Sequence, residues 1–322
     1  MKKYLVTILL GLFILPYNVM AYSNYIIPGG ETLGISIKSD GVLVIGFYKI
    51  NGKYNKTDLK VGDYIIKVEN EQVNTIEELT NLVSKYKNKK DINISYRRNN
   101  KTLNGKINLV YDQDIYKTGL YVKDSVVGCG TLSYIDPITR IYGALGHEII
   151  DSNSNEIIEI KTGDIFENKI TSITKSYDGT PGSKNSTFNF DNIYGDVKRN
   201  TKMGIYGMYT EKIPDKQPLK VGTKDDIKIG PAYIYTVLEN EKVESFEIEI
   251  TSIDELSKTK NMTFNIVDNN LIERTGGVIQ GMSGSPIIQG SYIIGAVTHV
   301  KVDDVKSGYA IFITTMLEEG EK

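Results

Sequence analysis

The pattern that most restricts the fold lies in the last two hundred or so residues of the 322-residue chain. From Ile115 onward, short apolar or alternating runs are separated by Gly, Asn, Asp and Pro, and no long helical pattern occurs. The clearest runs are Gly119–Val127, Glu156–Ile160, Ile227–Leu238, Phe246–Ile253, Tyr292–Val302 and Tyr309–Ile313. Many short strands joined by turns are typical of β-barrels and β-sandwiches. We therefore predict an all-β domain over residues 115–322, in which the polar segment 174–200 is a long loop.

Residues 25–110 have a different pattern, which predicts a small α+β domain. Thr75 and Glu78 form a capping box at the start of a helix whose apolar residues fall on one face. The other segments favour strands, with the turn Asn99-Asn100 between the last two. The predicted strands are Gly41–Gly46, Tyr64–Val68, Ile92–Arg98 and Leu103–Leu109.

This order of elements, with the segment Leu59–Val73 in its middle, resembles that of PDZ domains. In the resemblance, Leu33, Gly34 and Ile35 match the carboxylate-binding loop and the first strand of the peptide groove, although Thr32 stands where a glycine is common. A Gly-containing turn exposes backbone N–H groups to a carboxylate, and a free strand edge pairs with the peptide. The resemblance thus implies binding of peptide C termini. The alternative is a PDZ-like domain that serves only as an intramolecular spacer or regulator.

The first 23 residues have the organisation of an export signal. Lys2 and Lys3 precede the apolar run Tyr4–Leu15, and Val19–Ala21 has the small-residue spacing of a signal-peptidase site. We expect export across the cytoplasmic membrane. The segment is then either removed or kept as an N-terminal membrane anchor.

Composition excludes several classes of function. The formal net charge is only −2 and no basic stripe stands out, so nucleic acid is not an expected partner. Cys129 is the only cysteine, which excludes an intrachain disulfide and makes the exported chain depend on its packed core. We interpret Cys129 as a small buried hydrophobe. The sequence has no metal-binding motif and no Gly-rich phosphate loop, so we expect neither a metal nor another cofactor.

The hexapeptide GMSGSP, residues 281–286, predicts a nucleophilic serine. A serine hydroxyl needs a base within hydrogen-bond reach, and the chain offers only His147 and His299. The order His147 then Ser283 is that of trypsin-like double-barrel proteases. In that arrangement the N–H groups of Gly281 and Ser283 form the oxyanion hole, and a side chain at residue 281 would hinder the turn.

Several longer segments resemble stage IV sporulation protein B (SpoIVB) peptidases. They are Ile27–Glu31, Gly119–Tyr134, Tyr142–His147, Thr275–Pro286 and Ala296–Val300. The resemblance implies a PDZ domain followed by a chymotrypsin-like double β-barrel with serine endopeptidase activity. Members of this family are made in the forespore and cross its inner membrane. In the intermembrane space they cleave a membrane-bound regulator, and self-cleavage is also expected. The cleavage relieves inhibition of an intramembrane protease that matures a mother-cell sigma factor.

The residue that orients His147 is not fixed by the residues alone, because the chain has 40 acidic residues. The family resemblance points to Asp268 as the third catalytic residue. Asp151 and Asp136 are weaker candidates.

Three further hypotheses remain at this stage. His299 follows Ser283 by 16 residues and is a candidate for a specificity pocket that binds a Gln or Glu side chain, although a buried histidine that is hydrogen-bonded within the barrel is the favoured interpretation. A cysteine protease could pair Cys129 with His147. A non-catalytic protein of the spore envelope could act through PDZ-mediated binding alone.

Overall fold

The computed structural model describes residues 22–322. Almost all of the predicted export signal, residues 1–21, therefore lies outside the described residues. None of the helices in the described part has the length and apolar character needed to cross a membrane.

The N-terminal part of the described chain combines strands with one helix, α1. The strands are β1 Tyr25–Pro28, β2 Thr32–Phe47, β3 Lys49–Ile50, β4 Lys53–Tyr54, β5 Tyr64–Val68, β6 Glu71–Gln72, β7 Asp91–Arg98 and β8 Lys101–Asn108, and α1 is Ile76–Lys85. The second half of β2 pairs with β5, β5 pairs with β7 and β7 pairs with β8, so the expected α+β unit is present. Asn99 and Asn100 both have positive φ, as a two-residue hairpin turn requires.

Helix α1 begins as its sequence predicts. The Thr75 hydroxyl accepts from the Glu78 N–H at 3.1 Å, and the Glu78 carboxylate accepts from the Thr75 N–H at 3.2 Å. The helix buries Leu79, Leu82 and Val83 against the sheet. The capping box is therefore confirmed, because both partners lie within one turn and need no distant residue.

The first β-barrel is built from chain segments on both sides of this α+β unit. Its strands are the first half of β2 together with β11 Leu120–Ile135, β12 Ile141–Ala144, β13 Thr162–Thr174, β14 Ser183–Asp196 and β16 Gly204–Met208; the hairpin β9 Val110–Asp112 and β10 Ile115–Lys117 precedes them, and β15 Arg199–Thr201 pairs with β16. The hydrogen-bonded order is β12-β11-β2-β13-β14, and β16 pairs with β12. A bridge between Gly195 and Tyr209 closes the barrel.

The second barrel is a ring of six strands in the C-terminal part of the chain. The elements of this part are β17 Leu219–Val221, β18 Gly230–Val237, β19 Val243–Ile253, β20 Met262–Ile266, α2 Asn269–Thr275, β21 Pro286–Gln289, β22 Tyr292–Lys301, β23 Asp304–Phe312 and α3 Ile313–Gly320. The antiparallel order β18-β19-β20-β23-β22-β21 returns to β18, and β17 pairs outside the ring with β1 and β22. The predicted double β-barrel after a PDZ-like unit is confirmed.

The structure corrects the interpretation of residues 174–200 as a long loop. Most of the segment is β14, which pairs with β13 from Ser183 to Asp196. Polar residues dominate the sequence because most side chains of this strand are not buried. A half-exposed strand with so few apolar residues lacks the alternation that reveals a strand in the sequence.

The structure also corrects the assignment of Leu33, Gly34 and Ile35 to a peptide-binding loop of the PDZ-like unit. These residues lie in the first half of β2, where one edge pairs with β11 and the other with β13. No free strand edge is left there for an added peptide. Leu33 and Ile35 are buried in the first barrel, and a Cβ on Gly34 would come within 2.1 Å of the Phe166 ring. The PDZ-like unit was predicted to begin at residue 25. In the structure, β1 and the first half of β2 pair with strands of the first barrel, so this unit begins later in the chain.

Candidate active site

Ser283 lies in a tight turn, Gly281–Gly284, which we call the oxyanion turn. Gly281 and Gly284 both have φ of 94°. A Cβ on Gly284 would lie 2.0 Å from the Thr131 carbonyl oxygen, and a Cβ on Gly281 would lie 3.0 Å from the Lys184 side chain. Only glycine adopts this backbone conformation without strain and also fits these two contacts. The two glycines of GMSGSP, residues 281 and 284, are therefore required by the backbone of this turn.

The oxyanion turn has two unused backbone donors. The N–H groups of Gly281 and Ser283 donate no hydrogen bond to any residue within 22–322. Their carbonyls, in contrast, are held by Thr131 of the first barrel: its hydroxyl donates to the Gly281 oxygen at 2.7 Å, and its N–H donates to the Ser283 oxygen at 2.9 Å. An oxyanion hole requires N–H groups that are fixed in place and still free to donate. This turn meets both requirements.

His147 lies directly after β12, where Leu145 and Gly146 turn the chain with φ of 69°. Its Nδ1 is 2.7 Å from the Glu148 carbonyl oxygen. A carbonyl oxygen can only accept, so Nδ1 carries the hydrogen and Nε2 keeps the lone pair that a general base needs. Burial lowers the pKa of His147, although the Glu148 carbonyl partly opposes this, so the ring stays neutral to lower pH than a free histidine.

The Ser283 hydroxyl donates to the Thr298 carbonyl oxygen at 2.7 Å. A hydrogen bond from Ser283 to His147 therefore requires the hydroxyl to leave this carbonyl. Catalytic hydrogen bonds often form only when substrate is bound. The structure thus shows the nucleophile and base at one site, with the serine hydroxyl still donating its hydrogen bond to the Thr298 carbonyl instead of to His147.

Both residues line one cavity of about 510 Å³ at the junction of the two barrels. Nine of the nineteen residues that line the cavity are aliphatic: Ile35, Val126, Leu145, Ile149, Ile150, Val278, Ile279, Val300 and Val302. His299, on β22, also lines the cavity, and its ring centroid lies 4.9 Å from that of His147. Burial, followed by the nearby His147 and Lys260, lowers the pKa of His299 to about 4. At neutral pH His299 is an uncharged ring beside the catalytic base.

Comparison with protein families gives two matches in the chain. The family model of SpoIVB peptidase S55 matches residues 114–317, and that of the PDZ domain matches residues 32–109. The chain belongs to the SpoIVB peptidase S55 family. It is a serine peptidase, and its PDZ-like segment precedes the peptidase segment in the order that the sequence predicts.

Two solved structures are similar to part of this S55 peptidase. The Rv3671c protease from M. tuberculosis in its active form has 17% identity, covers 61% of this chain and 73% of its own, and gives a TM-score of 0.34. The inactive form of Rv3671c protease has 14% identity, covers 60% of this chain and 82% of its own, and gives a TM-score of 0.32. A search of curated protein sequences gives no match.

The structure does not bring Asp268 to His147. Asp268 is the N-cap of α2, where one carboxylate oxygen accepts from the Leu271 N–H at 2.9 Å and the other from the Glu247 N–H at 3.4 Å. The Nδ1–H of His147 already donates to Glu148. In this structure the Asp268 carboxylate therefore caps a helix and does not orient His147.

The two weaker candidates also have other partners. The Asp151 carboxylate contacts the Lys123 ammonium at 2.9 Å and accepts from the N–H groups of Asn153 and Ser154. Asp136 accepts from Ser23 and from the N–H groups that follow it in its own turn. Within residues 22–322, the group that orients His147 is the Glu148 carbonyl.

Cys129 was predicted to be a small buried hydrophobe, and the structure places it at the wall of a cavity. It is only partly buried and lines the same cavity as His147 and Ser283. Burial raises the pKa of its thiol, which works against the thiolate that a cysteine nucleophile requires. The position is thus close to the chemistry, but its electrostatics favour Ser283.

Sequence reasoning missed four contributors to the site: the carbonyls of Glu148 and Thr298, and the side chains of Thr131 and Lys184. Backbone carbonyls carry no residue signature, so no pattern could have revealed the first two. Thr131 lies within a segment that matches the family, but its partner is 150 positions away. Among residues 22–322, no group of three or more His, Cys, Asp or Glu side chains is arranged to hold a metal ion.

Proposed function

We propose that this S55 peptidase acts in sporulation, where it cleaves the extracytoplasmic part of a membrane-bound regulator of an intramembrane protease, and also cleaves itself. Its place of action would be the space between the forespore and mother-cell membranes. The observation that carries the enzymatic part is the convergence of Ser283, His147 and two free N–H donors on one cavity. The family match and the apolar N-terminal segment support the rest.

The proposed reaction uses groups already in place. The Ser283 oxygen attacks the peptide carbonyl carbon while Nε2 of His147 takes the hydroxyl proton. The carbonyl oxygen becomes an oxyanion between the N–H groups of Gly281 and Ser283. The imidazolium, held through Nδ1 by the Glu148 carbonyl, then protonates the leaving amine. Water hydrolyses the acyl-enzyme by the same route.

The cavity beside Ser283 is proposed as the primary specificity pocket. Its aliphatic wall favours an apolar side chain before the scissile bond. His299 adds one polar group to the cavity. Its uncharged imidazole can form a hydrogen bond with a glutamine side chain, but it cannot neutralise the negative charge of a glutamate side chain. We expect substrates with aliphatic residues or glutamine to be cleaved faster than substrates with glutamate. The His299→Ala variant should cleave substrates with glutamine before the scissile bond more slowly and substrates with leucine at an unchanged rate. An unchanged ratio of these two cleavage rates would show that His299 does not contribute to specificity.

The chain is proposed to be exported, with its N-terminal segment either removed or retained as an anchor. N-terminal sequencing of the protein from sporulating cells decides between them. A new N terminus near residue 22 indicates a cleaved signal, whereas an intact N terminus in the membrane fraction indicates an anchor.

The decisive experiment compares wild type with Ser283→Ala for self-cleavage and for cleavage of candidate membrane-protein ectodomains. Ser285→Ala is the matched control, because it removes a neighbouring serine hydroxyl that makes no hydrogen bond within the described residues. We expect cleavage by wild type and Ser285→Ala and none by Ser283→Ala. Cleavage by Ser283→Ala would overturn the mechanism. Full sporulation with the Ser283→Ala protein would favour the non-catalytic role through the PDZ-like unit.

A further inference from the structure

Lys184 is a buried lysine that the reaction described above does not use. It lies on β14 with only 4% of its surface exposed. Within residues 22–322 it forms no ion pair with a carboxylate. Its Nζ lies near three threonine hydroxyls instead: Thr236 at 2.8 Å, Thr32 at 3.4 Å and Thr131 at 3.4 Å. An ionisable group is costly to bury with only neutral partners, so this arrangement requires an explanation.

Lys184 lies directly beneath the oxyanion turn. Its backbone N–H donates to the Gln280 carbonyl at 3.0 Å, just before the turn begins. Its methylene groups occupy the space next to Gly281, where a Cβ would lie 3.0–3.2 Å from them. The same side chain therefore supports Gly281 from below and reaches Thr131 with its nitrogen.

Thr131 connects Lys184 to the reacting groups. Its hydroxyl has one hydrogen, which it donates to the Gly281 carbonyl, so toward Lys184 the oxygen can only accept. Nζ of Lys184 therefore donates to Thr131, and this fixes the direction in which the threonine hydrogen points. The Gly281 carbonyl is thereby held toward Thr131, and the peptide units on either side of it carry the N–H groups of Gly281 and Ser283.

We propose that Lys184 is a positioning residue for the oxyanion turn, which acts through the Thr131 hydroxyl on the Gly281 carbonyl. The inference rests on the proposed role of Ser283 as nucleophile. Thr32 and Thr236 hold the amine from the first and second barrels, so the turn is aligned with both halves of the cleft. Burial also lowers the pKa of Lys184 to about 7, which agrees with an amine held by hydroxyls rather than by a carboxylate.

The test measures the reactivity of Ser283 in the full chain with two probes. A fluorophosphonate reports covalent reaction, in which the serine oxygen forms a bond to phosphorus, fluoride leaves, and the proton passes to His147. A leucine boronate reports binding of a tetrahedral anion. The variants are Lys184→Met, Thr131→Val, their double mutant, and Thr131→Ser, which keeps the hydroxyl.

Loss of one oxyanion donor typically costs about 10²–10³-fold in rate, so loss of a positioning contact should cost about tenfold or more. We expect Lys184→Met and Thr131→Val to lower the maximal rate of fluorophosphonate labelling and the boronate affinity by similar factors. The probe concentration at half-maximal rate should change little. Thr131→Ser should retain most of the wild-type rate. The double mutant should lose little more than either single mutant, because both changes break one chain of contacts.

Wild-type rates and boronate affinities in Lys184→Met and Thr131→Val would overturn the proposal, as would fully additive losses in the double mutant. If Lys184→Met does not fold, Thr131→Val against Thr131→Ser still tests the contact through which Lys184 acts, and equal rates in these two variants would overturn the proposal. Ser307→Ala, which removes a buried hydroxyl away from the turn, controls for loss of stability alone. If the wild-type chain reacts with neither probe, the proposed role of Ser283 as nucleophile is wrong. If wild type and variants react equally, only the proposed role of Lys184 is wrong.

Discussion

The core of the second barrel and the wall beneath the oxyanion turn bury different kinds of side chain. The second barrel is filled by aliphatic and aromatic side chains such as Ile248, Phe264 and Ile294. The wall of the first barrel that faces the oxyanion turn buries Thr32, Thr131 and Lys184 instead, bonded to each other and to the turn. Apolar packing is strong but non-directional, whereas hydrogen bonds fix orientation. The comparison indicates that the apolar core of the second barrel contributes stability, as the core of the first barrel does, whereas the polar wall supplies geometry.

The largest effect should come from the base that the first barrel presents. His147→Ala should lower the rate of substrate cleavage by at least about 10⁴-fold, because His299, the other imidazole in the cavity, has its pKa lowered to about 4 and is a much weaker base. The temperature of unfolding should change little, since the ring is only partly buried. Labelling kinetics and thermal unfolding of the same preparation check both statements. A large decrease in the temperature of unfolding would show that His147 also contributes to the stability of the fold.

The converse change is made inside the second barrel. Phe264 is fully buried, and Phe264→Ala should lower the free energy of unfolding by about 3–5 kcal/mol. The labelling rate per folded molecule should remain near that of wild type. Denaturant titration and probe labelling test this pair of outcomes. A labelling rate per folded molecule that falls together with the free energy of unfolding would remove the distinction between the apolar core and the polar wall.

Lys184 makes the polar wall sensitive to pH. Its pKa is lowered from 10.5 to about 7 in the folded protein, so between these values the unfolded chain binds more protons than the native one. Stability should therefore rise with pH across this window, by a few kcal/mol at most, and the cost of burial is fully present below pH 7. Cys129 is the titratable neighbour that opposes the shift. Denaturant titrations from pH 6 to 10 should show this rise in wild type and a flatter profile in Lys184→Met. Parallel profiles would contradict it.

The smallest effect is expected at Asp268. Loss of its N-cap in Asp268→Ala should cost about 1 kcal/mol of stability, and Asp268→Asn should cost less because asparagine also caps helices. The cleavage rate should fall less than tenfold in both. An orienting aspartate in a serine protease triad is worth about 10⁴-fold in kcat, so the two roles are easy to separate. A loss of that size in Asp268→Asn would restore Asp268 to the triad and require α2 to rearrange.

Much of the fold could be predicted because its signals are local. The capping box at Thr75 and the Asn99-Asn100 turn involve only neighbouring residues, and both are present. Strand β14 was missed because its exposed face removes the apolar alternation. The peptide-binding role of Leu33 was wrong because local sequence does not specify which strands pair with β2.

The sequence by itself determined the nucleophile turn and the choice of base. Glycines at 281 and 284 are needed for a backbone with positive φ, and only two histidines exist. Only the tertiary structure decided what orients these groups: the Glu148 carbonyl at His147, and Lys184 through Thr131 at Gly281. The physical reason is that every residue has a backbone carbonyl, so residue type does not reveal which carbonyl is used. Lys184 lies in a polar segment whose sequence predicts exposure to solvent, and only the packing of the two barrels buries it. Long-range pairing, rather than residue type, gives these groups their roles.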